Sequence, residues 1–345
     1  MSAPATLRRP RRAQLPGSSR ARRLVGLLIL LLATAALAVF ALGLGDYPLS
    51  PGEVLGAALD PGAGFKRTIV LEWRLPRVAL ALLIGAALAV SGALFQSLTD
   101  NPLGSPDIIG FTSGSYTGAI LALTVLGAGL EGAAVGALLG GLATAGVVLA
   151  LTYRRGIEGF RLIIVGIGVT AMLTALNQWL LLRAQEEVAM SASIWGAGSL
   201  ANSSREAALT AGVGVAVLLV LVVAVSAPLR QLELGDDLAR SHGVRAGAVR
   251  LSVVLLGVAL VALAVATSGP IAFVALTAPQ IAARLLRSPG LPLTGSALTG
   301  AFLLLGADML AQHAVPGGVP VGTVTTVLGG VYLVTLLIRE ARKTW

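Results

Sequence analysis

The 345-residue chain contains no cysteine. That excludes a disulfide framework, a thiolate metal site and a thiol nucleophile, and it leaves the redox compartment unreadable. Charge is scarce as well. Only 12% of residues are charged, about half the ~25% of an average soluble domain. A chain this poor in charge cannot solvate a globule of its size. Lysine occurs only as Lys66 and Lys343, and no G-x-x-x-x-G-K-[ST] phosphate loop is present, so a P-loop nucleotide site is not expected in this chain. The sequence has no H-E-x-x-H, and its two histidines, His242 and His313, lie far apart. Metal ligation by this chain is therefore not expected, nor is a cofactor. With no nucleophile–base constellation in view, an enzyme is not expected either.

Apolar residues are abundant, at 56% of the chain. A spanning helix needs roughly 20 of them in a row. Qualifying runs begin near Leu24, Val78, Ile108, Ala133, Leu162, Ala207, Val249, Ile271, Ala297 and Val321. The pattern predicts an all-α polytopic membrane protein of about ten transmembrane helices. They form one domain over residues 24–338, between a basic cytoplasmic tail, 1–23, expected to be disordered, and a short cytoplasmic C-terminal tail, 339–345. The runs do not alternate as the strands of a β-barrel do. Of the 43 glycines, Gly110, Gly114 and Gly118, with Gly136 and Gly140, have the spacing of close helix contacts in lipid.

Seven arginines fall in the first 23 residues: Arg8, Arg9, Arg11, Arg12, Arg20, Arg22 and Arg23. No aromatic residues interleave with them, so nucleic acid is not expected as a partner. Arginines before a first helix follow the positive-inside rule, and attraction to anionic headgroups is a secondary role. The run from Leu24 to Leu44 is longer than the core of a signal peptide, so it is read as a retained span. With the N-terminus inside and ten crossings, the inner segments are the N-terminus, 96–107, 153–161, 228–248, 284–296 and the C-terminus. They hold 18 Lys and Arg against 6 outside. Both termini are thus expected in the cytoplasm.

One inner segment, LELGDDLARSHGVRAGAVR (232–250), is unusually charged. Placing each charge at mid-membrane would cost about 3 kcal/mol, so the segment lies outside the lipid. It reads as a short helix. Asp236 and Asp237 sit where the helix dipole favours negative charge, Asp236 and Arg240 are spaced i,i+4, and Gly243 suits the C′ position. Leu234 and Leu238 form an apolar stripe. Two readings are open: a loop resting on its own helix ends, or a docking helix for a cytoplasmic partner.

Other stretches bear on that choice. The run RLPRVALALLIGAALAVSGALFQSLTDNPLGSPDIIGFTSGS (74–115) resembles the signature of the FecCD family. These are permease subunits of ABC importers for iron–siderophore complexes, haem and vitamin B12. GDDLARSHGVR resembles that family's cytoplasmic coupling segment. TSGPIAFVALTAPQIAARLL (267–286), GADMLAQHAVPGGVPVGTVTTVLGG (306–330) and YLVTLLIRE also fit, in family order. FQSLTDNPLGSPDIIGF and ADMLAQH are most similar to the ferric-enterobactin type. The resemblance implies a type II ABC importer permease fold in a bacterial plasma membrane. It also implies a second permease subunit, identical or homologous, and two copies of an ABC ATPase. An extracytoplasmic binding protein would deliver an Fe(III)–siderophore chelate. Haem and cobalamin are alternative cargoes.

On that resemblance Leu234, Gly235, Asp236, Ala239, Arg240 and Gly243 are the ATPase-coupling candidates within 230–248. Arg74 and Arg77, at the outer start of a helix, would meet acidic residues of the binding protein; otherwise they are snorkelling anchors. Some relatives carry a third outer arginine where this chain has Gln312. The cytoplasmic gate in relatives matches GIEGFR (156–161). Gly159 and Phe160 belong to it, with Phe160 either an apolar plug or an interfacial anchor. Asn177 and Gln178 either face the pathway or cross-link helices. Asp308, within an apolar run, is either a helix-to-helix hydrogen-bonding group or the proton site of a secondary transporter. Gln280 and Arg284 are expected at the inner interface.

Overall fold

A computed structural model describes residues 16–152, 159–288, 290–315 and 317–341. All ten apolar runs are helical. In chain order the helices are α1 (Pro16–Gly43), α2 (Pro51–Leu59), α3 (Phe65–Thr68), α4 (Leu75–Thr99), α5 (Phe111–Thr124), α6 (Leu130–Thr152) and α7 (Gly159–Arg183). They continue with α8 (Glu186–Gly196), α9 (Arg205–Leu232), α10 (Asp236–Ser241), α11 (Ala246–Ser268), α12 (Val274–Leu285), α13 (Leu293–His313) and α14 (Val321–Ala341). No strand occurs among the described residues. Helix α1 starts at Pro16, so Arg20, Arg22 and Arg23 are helical. Arg8, Arg9, Arg11 and Arg12 lie outside the described residues, as do residues 156–158 of the gate turn and the C-terminal residues 342–345.

Seven of the described helices are long and apolar enough to cross a bilayer; the chain is a multi-pass membrane protein. The longest is a continuous rod, Phe65–Thr99, made of α3, a π-helical turn over Ile69–Arg74, and α4. The π turn has a local cause. Pro76 has no N–H to give to the preceding turn, and the Leu75 N–H reaches back to the Val70 carbonyl, five residues earlier. Such one-residue insertions are the usual form of π-helix.

Helix α4 is the centre, packed by α13, α11, α12 and α9. Its neighbours approach closely. Gly85 of α4 lies against Gly300 of α13, and Gly92 lies against the Ala275 carbonyl of α12. Helices α5 and α6 form an antiparallel pair zipped by the predicted glycines: Gly118 faces Gly136, and Gly114 faces Gly140. A Cβ at either side would strike the partner's backbone. In lipid, where apolar burial gives little drive, this close van der Waals contact is what holds helices together. Helix α1 is peripheral, and α7 and α9 bury only a narrow stripe each.

Two runs differ from expectation. Helix α5 has 14 residues and α12 has 12, about 21 and 18 Å at 1.5 Å per residue, too short for a ~30 Å hydrocarbon core. Each is broken at its start by backbone that cannot continue a helix: Pro102, Gly104 and Pro106 before α5, and Gly269-Pro270 before α12. The residues before them run inward as non-helical chain.

Candidate functional site

The bundle has two polar ends. At one, α9 passes into α10 and back into α11. Gly235 makes the first corner with φ 108, a left-handed conformation that favours glycine. Helix α10 closes with Gly243 at φ 80. The Gly243 N–H donates to the Arg240 carbonyl (2.9 Å) and the Val244 N–H to the Ala239 carbonyl (3.0 Å), the Schellman pattern expected of a C′ glycine. Asp236 binds Arg240 at 3.7 Å, the pair read from the sequence. Its tighter partner was not foreseen: Arg250 Nη2 of α11 donates to Asp236 Oδ1 at 2.7 Å. One carboxylate thus ties α10 to the next spanning helix. Just before it, Glu233 accepts a hydrogen bond from Ser97 Oγ of α4 at 2.6 Å.

The candidate coupling residues divide by exposure. Leu234, in the turn before α10, is 67% exposed and Leu238 of α10 is 55% exposed. Arg240 is exposed beside them, and nothing lies within 4 Å of where a Cβ would stand on Gly235 or Gly243. Ala239 is different. It is fully buried, so it seats α10 on the bundle and does not face outward.

Near the same end Gly159 packs on the backbone of Thr99, and Phe160 stands 76% exposed at the start of α7. Asn177 does not line an open face. It lies on the buried stripe of α7 with Leu162, Gly166 and Leu180, because those spacings return to one side of a helix. Its Oδ1 has no hydrogen-bond partner among the described residues; Gln178 is the exposed neighbour.

At the opposite end Arg77 of α4 grips Asp308 of α13. Nε lies 2.9 Å from Oδ2 and Nη2 lies 2.8 Å from Oδ1, the two-bond geometry in which guanidinium and carboxylate pair most strongly. Gln312, one turn on, donates to the same carboxylate at 2.8 Å. Asp308 has only 2% of its side chain exposed. This is the helix-to-helix role for Asp308: both carboxylate oxygens accept from Arg77, and Oδ2 accepts from Gln312 as well. Arg74 donates to the carbonyls of Leu42 (2.8 Å) and Tyr47 (2.7 Å), stapling the chain that leaves α1. Both arginines line a cleft of about 310 Å³ with Asp46, Trp73, Gln312 and His313.

Beside this cleft a small cap forms. Ser50 and Glu53 make a capping box at the start of α2. Lys66 Nζ meets Glu53 at 2.8 Å, and that hydrogen bond, with those from Ser50, holds the Glu53 carboxyl down to about 2. Tyr47, Phe65 and Trp73 stack edge to face along its exposed rim.

Comparison with known proteins fits this arrangement. Residues 29–339 match the model of the FecCD transport family. The chain is 45% identical over 324 residues to the ferric enterobactin transport system permease protein FepG of Escherichia coli (strain K12), covering 93% of this chain and 98% of that one. It is 37% identical to the achromobactin transport system permease protein CbrC of Dickeya dadantii (strain 3937), over 90% of each. Among solved structures, one described as an inward-facing conformation of a metal-chelate type ABC transporter superposes with a TM-score of 0.81 at 30% identity, covering 91% of this chain and 98% of that one.

Proposed function

The chain belongs to the FecCD transport family, and on that premise we propose that it is the permease subunit of an ABC importer for an Fe(III)–siderophore chelate, with ATP hydrolysed on a separate subunit. The α10 end is cytoplasmic and receives two copies of an ABC ATPase. A second permease subunit, identical or homologous, completes the pathway, and Gly159 and Phe160 stand at its cytoplasmic mouth. An extracytoplasmic binding protein docks over the cleft that holds Arg74 and Arg77. Both termini lie in the cytoplasm of a bacterial cell.

The observation that carries this reading is α10. A six-residue helix is not stable alone in water, yet it is fixed by glycine corners and by one ion pair to a spanning helix. It offers Leu238 and Arg240 outward, beside Leu234 of the preceding turn. That is the form of a lever: rigid toward the bundle and apolar toward a partner. At the far end Arg77 spends Nε and Nη2 on Asp308, which leaves Nη1 for an incoming carboxylate. Charges of this kind steer and orient encounter more than they deepen affinity.

A proton-coupled carrier working through Asp308 has less support, since Arg77 and Gln312 already occupy that carboxylate. Haem and cobalamin are the alternative cargoes for the same machine. The test is uptake of radioactive ferric chelate into vesicles holding the complete complex. Uptake is expected to require internal ATP and to survive an uncoupler. Uptake that persists without ATP and collapses with the uncoupler would overturn the proposal. ATP-driven accumulation of haem or cobalamin, with the ferric siderophore left behind, would change the cargo and keep the machine.

A further inference from the structure

The short helices α5 and α12 begin at the same depth, inside the bundle. Helix α7 gives the scale. Gly159 lies against Thr99 at the α10 end, whereas Gly166 lies against Ile109 and Thr170 against Gly110. Those steps place the start of α5 roughly 10–16 Å inward. Helix α12 reaches that level from the other side: Gly92 of α4 lies against Ala275, and Gln96 Nε2 donates to the Leu276 carbonyl at 2.9 Å. Gly92 stands seven residues before Thr99, again roughly 10 Å inward.

Asp107 lies between the two starts. It accepts the Thr112 hydroxyl of α5 on Oδ1 at 2.6 Å, and the Phe273 N–H at the head of α12 on Oδ2 at 3.3 Å. Neither helix has a side-chain cap of its own. A single carboxylate therefore stands at two helix N-termini, where the dipoles favour negative charge. Both heads are turned by left-handed residues, Gly110 at φ 94 and Phe273 at φ 67. The second is unfavourable for a bulky side chain, so this corner is held in place by its surroundings. The two helices share no extended packing face with each other.

Each helix leads somewhere different. Helix α12 runs to the α10 end, where Gly290 of the following loop lies beside the Glu233 carboxylate, three residues before α10. The start of α5 rests on Gly166 and Thr170 of α7, the helix that begins with Gly159 and Phe160. We propose that Asp107 is a positioning residue that transmits movement between the ATPase side, through α12, and the gate helix α7, through α5. This rests on the permease reading above.

The test has two arms, so that either reading can fail alone. The chain lacks cysteine, which permits spin labels at Leu121→Cys on α5 and Leu285→Cys on α12, both exposed. In the assembled complex, pulsed dipolar spectroscopy should give one narrow distance with Asp107 present and a broad distribution in Asp107→Ala. In vesicles, Asp107→Ala should hydrolyse ATP near the normal rate while chelate moved per ATP falls about tenfold, within the usual range of coupling between sites. A normal distance and a normal chelate-to-ATP ratio in Asp107→Ala would overturn the proposal. If that variant does not assemble, Thr112→Val decides in its place: it removes the bond to α5 and should lower the ratio, and a normal distance with a normal ratio in it refutes the link. A broadened distance in a protein whose wild-type uptake needs no ATP would instead refute the permease reading.

Discussion

The two polar ends use the same kind of ion pair in opposite ways. At one, Arg77 and Asp308 meet through two short bonds with the carboxylate buried and a glutamine behind it. At the other, Arg250 meets Asp236 through one short bond, both side chains about a third or a quarter exposed, with Arg240 loosely alongside. The first joins two spanning helices along their length. The second holds a short surface helix by its edge. Desolvation makes the difference: a buried pair is costly to part because each half is left uncompensated, whereas an exposed pair exchanges readily with water. One end is built to stay, and the other is held more loosely.

Removing the buried carboxylate should have the largest effect. Asp308→Ala is expected to cost about 3 kcal/mol, the low end for an orphaned buried charge, because Arg77 is itself a quarter exposed; thermal unfolding of the purified protein measures it. The contrast would fail if Arg250→Ala cost as much. That change should cost about 1 kcal/mol, discounted for exposure, while ATP-driven uptake falls at least several-fold. A smaller change sharpens the contrast further. Leu234→Ser and Leu238→Ser should leave stability within about 0.5 kcal/mol, as surface substitutions do, yet weaken capture of the ATPase in a pull-down. The smallest effect is expected at the outer cap. Glu53 titrates at about 2, below its ordinary value of 4.5. Its contribution is therefore fully present above that ordinary value and is lost progressively as pH falls from there through about 2. Melting curves of wild type and Glu53→Ala should keep the same small gap from pH 7 to pH 5; a gap that closes within that window would refute the assignment.

The ten apolar runs, the glycine-spaced α5–α6 pair and the corners of α10 were legible because each is written in local spacing. What sequence could not reveal depends on residues far apart. Arg77 and Asp308 stand 231 positions apart; a helix-to-helix bond was legible for Asp308, but Arg77 read as a docking group or an interfacial anchor, so the partner was not. Gln280 was expected at an interface, but its amide donates to Gln96 inside the bundle at 2.7 Å. Asp107 fell at the end of the inner segment 96–107. Hydropathy counts apolar residues and cannot tell a full span from a half helix reached by an inward loop, so the depth of that carboxylate was invisible. Asn177 had a signal that was missed: its spacing from Leu162, Gly166 and Leu180 already put it on the inner stripe of α7.

The π turn at Ile69–Arg74 has a consequence for how this protein can change. An extra residue in a helix rotates everything beyond it by about 100°. The aromatic rim of Phe65 and Trp73, and the lysine that anchors α2, are therefore set in angle to the glycine faces of α4 by one backbone insertion. Deleting a single residue there would leave the spanning part of the rod untouched and swing the outer cap off the cleft it borders. Insertions and deletions in this short stretch are thus a dial that sets which way the cap faces while the transport bundle stays as it is.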